Sequence, residues 1–392
     1  MMGINFPELI SLLALFISSS PVLVLISGFL MIPVEKLVMV YYKTKARLKL
    51  KRYHPQVIGI TGSCGKTSVK NYLFELIKEN KMAIMSPKSY NTVNGLSMTI
   101  NDCLYNQKSI LILEMGATKV GDIEELVKFT KPKFGIVTEI AHQHIASFKS
   151  IENILNEKMR LIEGLPKDGV AFLNYDNDYI RNYKVKNKCK LITYGTTSDC
   201  TYYASDAIMS LEGLSFVING GGKSFNVKTK ILGMHNINNL LAATAVCLEF
   251  GVRTNDIIDG INRLEIVKHR LEIRHDNHLT IIDDAYNSNP LGFIRALEVL
   301  DKAQDYKTLI TPGIVDGGSM SHKLNFDLAK DIAKVCDEVI LVDNESSRHI
   351  FEGLKEIDFK NIKVVKTYKE GYQLVKQGTV LVENDLTDNY FL

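Results

Sequence analysis

The residues best suited to chemistry lie between Val57 and Lys70, in V-I-G-I-T-G-S-C-G-K-T-S-V-K. An apolar strand enters a glycine turn, and Lys66, Thr67 and Ser68 open a helix. Gly62 and Gly65 let the backbone N–H groups around Ser63 and Cys64 close on phosphate oxygens. Lys66 adds a point charge, and the Thr67 hydroxyl can hold Mg²⁺. The stretch is a phosphate cradle and implies a bound nucleoside triphosphate. Its T-G-x-x-G-K-T spacing is shorter than the strict P-loop pattern, which would put glycine where Ile60 stands. An ordinary strand–turn–helix corner is the plain alternative. Cys64 fits as a small filler of the loop.

Further candidates are scattered downstream. Glu114 ends the strand-like S-I-L-I-L-E-M-G, where a carboxylate beside the loop can hold a hard cation or merely face solvent. His142 and His144, in A-H-Q-H-I-A-S-F, suit either metal ligation or a plain loop. Spacing alone makes Lys158, in E-N-I-L-N-E-K-M-R-L, a solvated helix lysine. His235, Asn236 and Asn239 stand at a helix start, where they would usually cap it. Arg270 sits in H-R-L-E. Asp284, Tyr286 and Asn287 fall in I-I-D-D-A-Y-N-S-N-P, a polar string that also suits a turn.

Positioning these groups requires a layered scaffold. Apolar runs at 57–61, 109–115, 134–140 and 170–174 alternate with helical stretches at 66–79, 121–129 and 150–165, the pattern of a doubly wound, largely parallel sheet. Residues 190–232 change to short alternating segments around G-G-G, which predicts antiparallel hairpins. A helix is predicted over 236–250. A second α/β unit follows from about 268, with strands in T-I-I-D-D, K-T-L-I-T-P, E-V-I-L-V-D, I-K-V-V-K and T-V-L-V-E. The fold class is therefore α/β: a P-loop-type central ATPase domain over 51–266 and a Rossmann-like C-terminal domain over 267–392.

Residues 1–50 differ from both. No charge occurs from Leu9 to Met31, a run long enough to cross a bilayer, and Lys36, Lys43, Lys45, Arg47, Lys49, Lys51 and Arg52 follow. This predicts a membrane anchor and basic linker with the remainder of the chain in the cytoplasm. Ser18-Ser19-Ser20-Pro21 raises a hairpin or an interfacial helix as alternatives to one span. The net charge of +3 over 392 residues gives no global field for nucleic acid. Six dispersed cysteines with no C-x-x-C pair argue against a zinc site or disulfide framework and fit a reducing compartment.

In order, T-G-S-C-G-K-T-S-V-K, S-Y-N-T-V-N-G, E-M-G-A-T-K-V-G-D-I, H-I-A-S-F-K-S-I-E-N-I, L-G-M-H-N-I-N-N-L-L-A-A and R-L-E with I-D-D-A-Y-N-S-N-P resemble the Mur ligase family, ATP-dependent amide-forming enzymes. The likeness is greatest to the branch that adds D-alanyl-D-alanine to a UDP-muramoyl tripeptide. It implies that Gly62, Ser63, Cys64, Gly65, Lys66, Thr67 and Ser68 bind ATP. It implies that Thr67, Glu114, His144 and a carbamylated Lys158 hold Mg²⁺, with Lys66, Lys158 and His144 acting in catalysis. Asn239 would lie against adenine. Arg270, Asp284, Tyr286 and Asn287 would reach the nucleotide from the last domain.

Two departures qualify what the resemblance implies. Family members acting on UDP-muramoyl precursors carry an N-terminal UDP-gripping domain, whereas about fifty anchor-like residues precede the phosphate loop here. The carboxylate acceptor is accordingly expected to be lipid-linked or UDP-linked. The string I-T-P-G-I-V-D-G-G-S replaces a family signature near the amine site, with Asp316 as a substitute, so the amine is an amino acid or a dipeptide. A poly-γ-glutamate-type synthetase, whose architecture is similar, and a non-catalytic nucleotide-binding membrane switch are the rival expectations.

Overall fold

The structure, a computed structural model, describes residues 6–383 apart from 108, 142–144, 267, 277, 286–289 and 316–317. The chain opens with helix α1 (Phe6–Tyr53) and continues through β1 (Gln56–Thr61), α2 (Lys66–Ile77), β2 (Ala83–Met85), α3 (Val93–Cys103), β3 (Ile110–Glu114), α4 (Asp122–Thr130) and β4 (Phe134–Val137). Then come α5 (Ile145–Phe148), α6 (Ile151–Glu163), β5 (Val170–Asn174), α7 (Asp178–Arg181), β6 (Lys190–Gly195), β7 (Tyr202–Ser210), β8 (Gly213–Gly220), β9 (Lys223–Thr229), α8 (His235–Glu249) and α9 (Thr254–Asn262).

The nine strands form one sheet in the order β2-β3-β1-β4-β5-β6-β7-β8-β9. Pairing is parallel from β2 to β7 and antiparallel across β7, β8 and β9. The central strands are nearly continuous apolar runs because helices cover both faces. One face packs on α2, α8 and α9, through residues such as Leu73, Leu240 and Ile257. The other packs on α3, α4 and α6, through Leu96, Ile123 and Leu161. Strand order reverses around β1, so the carboxyl ends of β1, β3 and β4 border a crevice, the usual ligand position in such sheets. The hairpins expected over 190–232 are β7–β9. The first segment of that region, β6, instead extends the parallel sheet.

The second unit contains β10 (Glu272–Asp276), β11 (Leu279–Asp284), α10 (Pro290–Leu300), β12 (Lys307–Thr311), α11 (Ser321–Val335), β13 (Glu338–Val342), α12 (Glu345–Glu356), β14 (Ile362–Val365), α13 (Tyr368–Leu374) and β15 (Gly378–Glu383). Its sheet runs β10-β11-β15-β12-β13-β14, parallel except for the edge strand β10. The five strands expected from the apolar runs are all present.

In the N-terminal segment the basic stretch is helix rather than a separate linker, and among the described residues no hairpin interrupts it. Helix α1 runs on through Pro21 without a break, and its basic end is docked on the sheet domain. Ala46 is fully buried, and Leu50 and Tyr53 pack on the same core. Lys49 Nζ donates to the carbonyls of Asn101, at 2.5 Å, and Leu104, at 3.1 Å, closing the C-terminal end of α3. Asn101 returns a hydrogen bond to the Tyr42 carbonyl (2.9 Å), and Lys43 pairs with Glu125 of α4 at 2.6 Å. N-terminal to this docked end the apolar side chains lie open. Leu25, Phe29 and Leu37 are each at least 70 % exposed. The stretch Val24–Tyr53 is long and apolar enough to cross a membrane, with a mean hydropathy of 1.8 in its most apolar window.

Candidate active site

The phosphate loop connects β1 to α2 and is strapped to the end of β4. Ser63 N–H donates to the Glu139 carbonyl (2.6 Å), Ala141 N–H donates to Ser63 Oγ (3.0 Å), and the Thr138 hydroxyl donates to the Cys64 carbonyl. These bonds explain why β4 ends at Val137 rather than at 140: the following residues turn aside to hold the loop. Gly62 has φ +151°, and a Cβ there would lie 2.1 Å from Thr138 Oγ1. Gly65 has φ +81°, and a Cβ there would lie 2.5 Å from Asn239 Oδ1. Glycine is required at both by conformation and by space. No side chain caps α2 and its first turn has no acid, so the N–H groups of Lys66, Thr67 and Ser68 remain available to an anion.

Lys66 Nζ folds over the loop and donates to the carbonyls of Gly62 and Ser63, both at 2.8 Å. Burial lowers its pKa, while Glu114 acts in the opposite direction. Burial raises the pKa of the Cys64 thiol, which suits a neutral filler.

Glu114 is not a solvent-facing acid. It is 2 % exposed at the end of β3, one strand over from the loop. Oε2 accepts from Thr67 Oγ1 at 3.0 Å and from Lys70 Nζ at 3.2 Å, and Oε1 accepts from Asn91 Nδ2 at 3.3 Å. The Thr67–Glu114 spacing suits a magnesium ion, because adjacent oxygens in an octahedron with bonds near 2.1 Å lie about 3 Å apart. Lys70 and Asn91 were not among the expected residues. Lys70 follows Lys66 by four in K-T-S-V-K, one helical turn along the same face, and that spacing was its only signal. Burial lowers the Lys70 pKa and Glu114 opposes the shift.

Lys158 also departs from the reading by spacing. It is 4 % exposed, on the face of α6 that packs on the sheet. Burial first, and then the charge of Lys66, push its pKa from 10.5 to about 7, against the pull of Glu157 and Asp122. Its neighbour Glu157, 1 % exposed, accepts from the N–H groups of Gly121 (2.9 Å) and Ile123 (2.8 Å), fixing α6 against the start of α4. Gly62, Ser63, Lys66, Asn91, Asp122 and Lys158 line one cleft of about 700 Å³.

Helix α8 starts at His235, but its N-cap is Met234 and no side chain caps it. Asn236 instead bonds back to the Leu232 carbonyl at 2.7 Å, and Asn239 donates to Asn236 Oδ1 at 2.9 Å while resting against Gly65. From the second unit, Arg270 is exposed and within electrostatic reach of Tyr72 on α2 and of Asp284. Asp283 and Asp284 face opposite ways on β11. Asp283 pairs with His269, at 2.9 Å, and with Arg274. Asp284 accepts from Leu271 N–H at 3.1 Å and bonds to Glu383, its register neighbour on β15. Burial raises the Asp284 pKa from 3.8 to about 6. Arg295 of α10 reaches Glu139 at the loop strap, at 2.8 Å, and ties the two units together. His142, His144, Tyr286, Asn287 and Asp316 lie outside the described residues.

Comparison with known proteins shows the family and the fold. The Mur ligase middle domain matches residues 60–247, and the Mur ligase glutamate ligase domain matches 269–385. The UDP-N-acetylmuramoyl-tripeptide–D-alanyl-D-alanine ligase of Buchnera aphidicola subsp. Baizongia pistaciae is 32% identical over 321 residues, which are 78% of this chain and 69% of that protein. The enzyme of the same name from Bacillus subtilis is 31% identical over 301 residues, covering 76% of this chain and 63% of that protein. Among solved structures, MurF ligase from Thermotoga maritima in complex with ADP superposes with a TM-score of 0.76 at 24% identity, covering 88% of this chain and 80% of that one. MurF from Acinetobacter baumannii gives 0.78 at 21% identity, covering 88% and 77%. The chain belongs to the Mur ligase family, ATP-dependent ligases that form carbon–nitrogen bonds.

Proposed function

We propose that this protein joins a carboxylate to an amine at the cytoplasmic face of a membrane, using ATP and Mg²⁺, and that its product is a cell-wall or surface-polymer precursor. The observation that carries this reading is one cleft lined by the phosphate loop with Lys66, by Asn91, which hydrogen-bonds Glu114, and by the buried Lys158. Residues 1–50 serve as anchor, 51–266 as the ATP-binding domain and 267–392 as the closing domain. The named relatives point to a muramoyl tripeptide as acceptor and D-alanyl-D-alanine as amine.

The chemistry follows from the groups present. An acceptor carboxylate oxygen attacks the γ-phosphorus of ATP, and ADP leaves. The amine then attacks the acyl carbon of the resulting acyl phosphate, loses a proton, and inorganic phosphate leaves with one former carboxylate oxygen. The α2 N–H groups and Lys66 hold the phosphate oxygens and meet charge as it develops. Bound Mg²⁺ supplies further neutralisation of the phosphate oxygens. Thr67 and Glu114 would hold one ion, and Lys158, once its neutral amine adds CO₂ and releases a proton, would offer carbamate oxygens to a second. Asn239, which rests against Gly65 of the loop, would lie against adenine. Arg270 and Asp284, with Tyr286 and Asn287, would close on the nucleotide and keep water from the acyl phosphate.

The test is phosphate release by full-length, detergent-solubilised protein, crossing amino acids and dipeptides with UDP-linked and lipid-linked acceptors. Release that requires both an acceptor and an amine is expected. ATP hydrolysis indifferent to both would contradict a ligase.

A further inference from the structure

Helix α1 does more than end near the catalytic cleft: it forms one wall of it. Lys36, Met39, Val40 and Lys43 line the same cleft as Gly62, Lys66 and Lys158. Asn94, at the start of α3, donates to Met39 Sδ at 2.9 Å, so the two helices meet at the cleft wall. Opposite α1 the lining includes Ala117, Leu126, Phe148 and Ile154. The cleft thus combines apolar walls with cations.

Its charge balance is positive. Leaving Lys158 aside, Lys36, Lys43, Lys66 and Lys119 line it against only Asp122 and Glu125. Both acids are already engaged. Asp122 Oδ2 accepts from the N–H groups of Thr118 (2.9 Å) and Lys119 (3.0 Å), and Glu125 is paired with Lys43. A ligand with several negative charges complements such a lining.

Position along α1 narrows the ligand. The uncharged run ends at Val34, so at about 1.5 Å per residue Lys36 lies roughly 3 Å past it. A headgroup layer is roughly 5–8 Å deep on each side of the hydrocarbon. Lys36 therefore falls within the headgroup layer, and Lys43 about 10 Å farther toward the cytoplasm. The exposed apolar side chains of Leu37 (70 %), Val40 (60 %) and Tyr41 (62 %) continue this surface toward the cleft. One end of the cleft is at headgroup level, and Lys66 and Lys158 lie within it.

We infer that α1 is part of the acceptor site and that the acceptor is an anionic amphiphile: the carboxylate-bearing group carried on a prenyl-type lipid diphosphate in the same leaflet. This rests on the ligase reading above. Lys36 and Lys43 meet the diphosphate, Met39 and Val40 meet the first carbons of the carrier, and the carboxylate reaches the phosphate loop without leaving the membrane surface.

The experiment uses full-length protein in phosphatidylcholine vesicles, with D-alanyl-D-alanine as amine. The muramoyl tripeptide is supplied either on a prenyl diphosphate in the vesicles or on UDP in solution. The inference predicts a kcat/KM at least tenfold higher with the lipid carrier. Lys36→Glu should lower that value at least tenfold through KM, with the KM for ATP unchanged. Lys45→Glu, which reverses an α1 charge outside the cleft, separates cleft binding from general attraction to the membrane and should change little. Equal or better use of the UDP carrier would overturn the inference and leave the ligase standing, as would equal losses in Lys36→Glu and Lys45→Glu. No ligation with either carrier would overturn the ligase reading and this inference together.

Discussion

At the scale of single residues, burial decides which charged groups do chemistry. Lys158 has its pKa pushed to about 7 chiefly by desolvation. A neutral amine is the form that takes up CO₂, so roughly a tenth of Lys158 is competent at pH 6 and roughly nine tenths at pH 8. Carbamate formation, followed by ¹³C NMR with labelled bicarbonate, should therefore rise steeply between those values and vanish in Lys158→Ala and Lys158→Arg, because guanidinium stays protonated. Turnover in both variants should fall about 10²–10³-fold while ATP-analogue binding persists. The same shift affects stability. The folded state binds fewer protons than the unfolded chain between about pH 7 and 10.5, so the cost of burying Lys158 is full below 7 and is relieved as pH rises across that window.

The Lys70–Glu114 pair is a second case. Both side chains are nearly inaccessible, at 1% and 2% exposure. Lys70→Ala leaves a buried carboxylate without its cation and should destabilise the fold by about 3–5 kcal/mol, read by denaturant unfolding. Lys70→Met combined with Glu114→Gln should recover most of that stability without recovering ATP turnover. Sequence made Glu114 visible as a strand-end acid. It could not show burial, so spacing alone left Lys158 looking like a surface lysine, singled out only through the family resemblance, and left Lys70 unnoticed.

At the scale of elements, the parallel strands and their helices were legible because apolar runs and amphipathic stretches carry different periods. Helix α3 was not, since V-N-G-L-S-M-T-I-N-D-C mixes glycine and polar residues, and its helical state depends on the Thr92 cap and on packing against α1. The end of α1 shows the same limit. Seven basic residues in seventeen suggest a linker, but Ala46, Leu50 and Tyr53 turn one side of the helix into core. The structure makes two truncations differ. Removing residues 1–33 should release a folded protein from membranes with its ATP-analogue affinity intact. Removing residues 1–50 strips Ala46 and the Lys49 bonds from the α3 end and should lower the thermal midpoint by several degrees. Equal stability of the two forms would show that the docked end of α1 contributes nothing.

At the scale of the whole molecule, the Glu139–Arg295 pair joins the two units across the loop strap, and in the proposed reading both units would contribute to the nucleotide site. Ordered motifs separated by more than a hundred residues indicated that division, because the phosphate loop and Asp284 have a common purpose only if two sheets face one another. The wall contributed by α1 was illegible, since no local pattern tells an apolar helix which cleft it borders. The central claim is that a carboxylate is activated as its acyl phosphate and captured by an amine. The most direct measurement is isotopic: supply an acceptor labelled with ¹⁸O in its carboxylate, together with amine and ATP, and examine the released phosphate by mass spectrometry. The account predicts one ¹⁸O in each phosphate formed alongside the amide from doubly labelled carboxylate. Amide formation with unlabelled phosphate would contradict it.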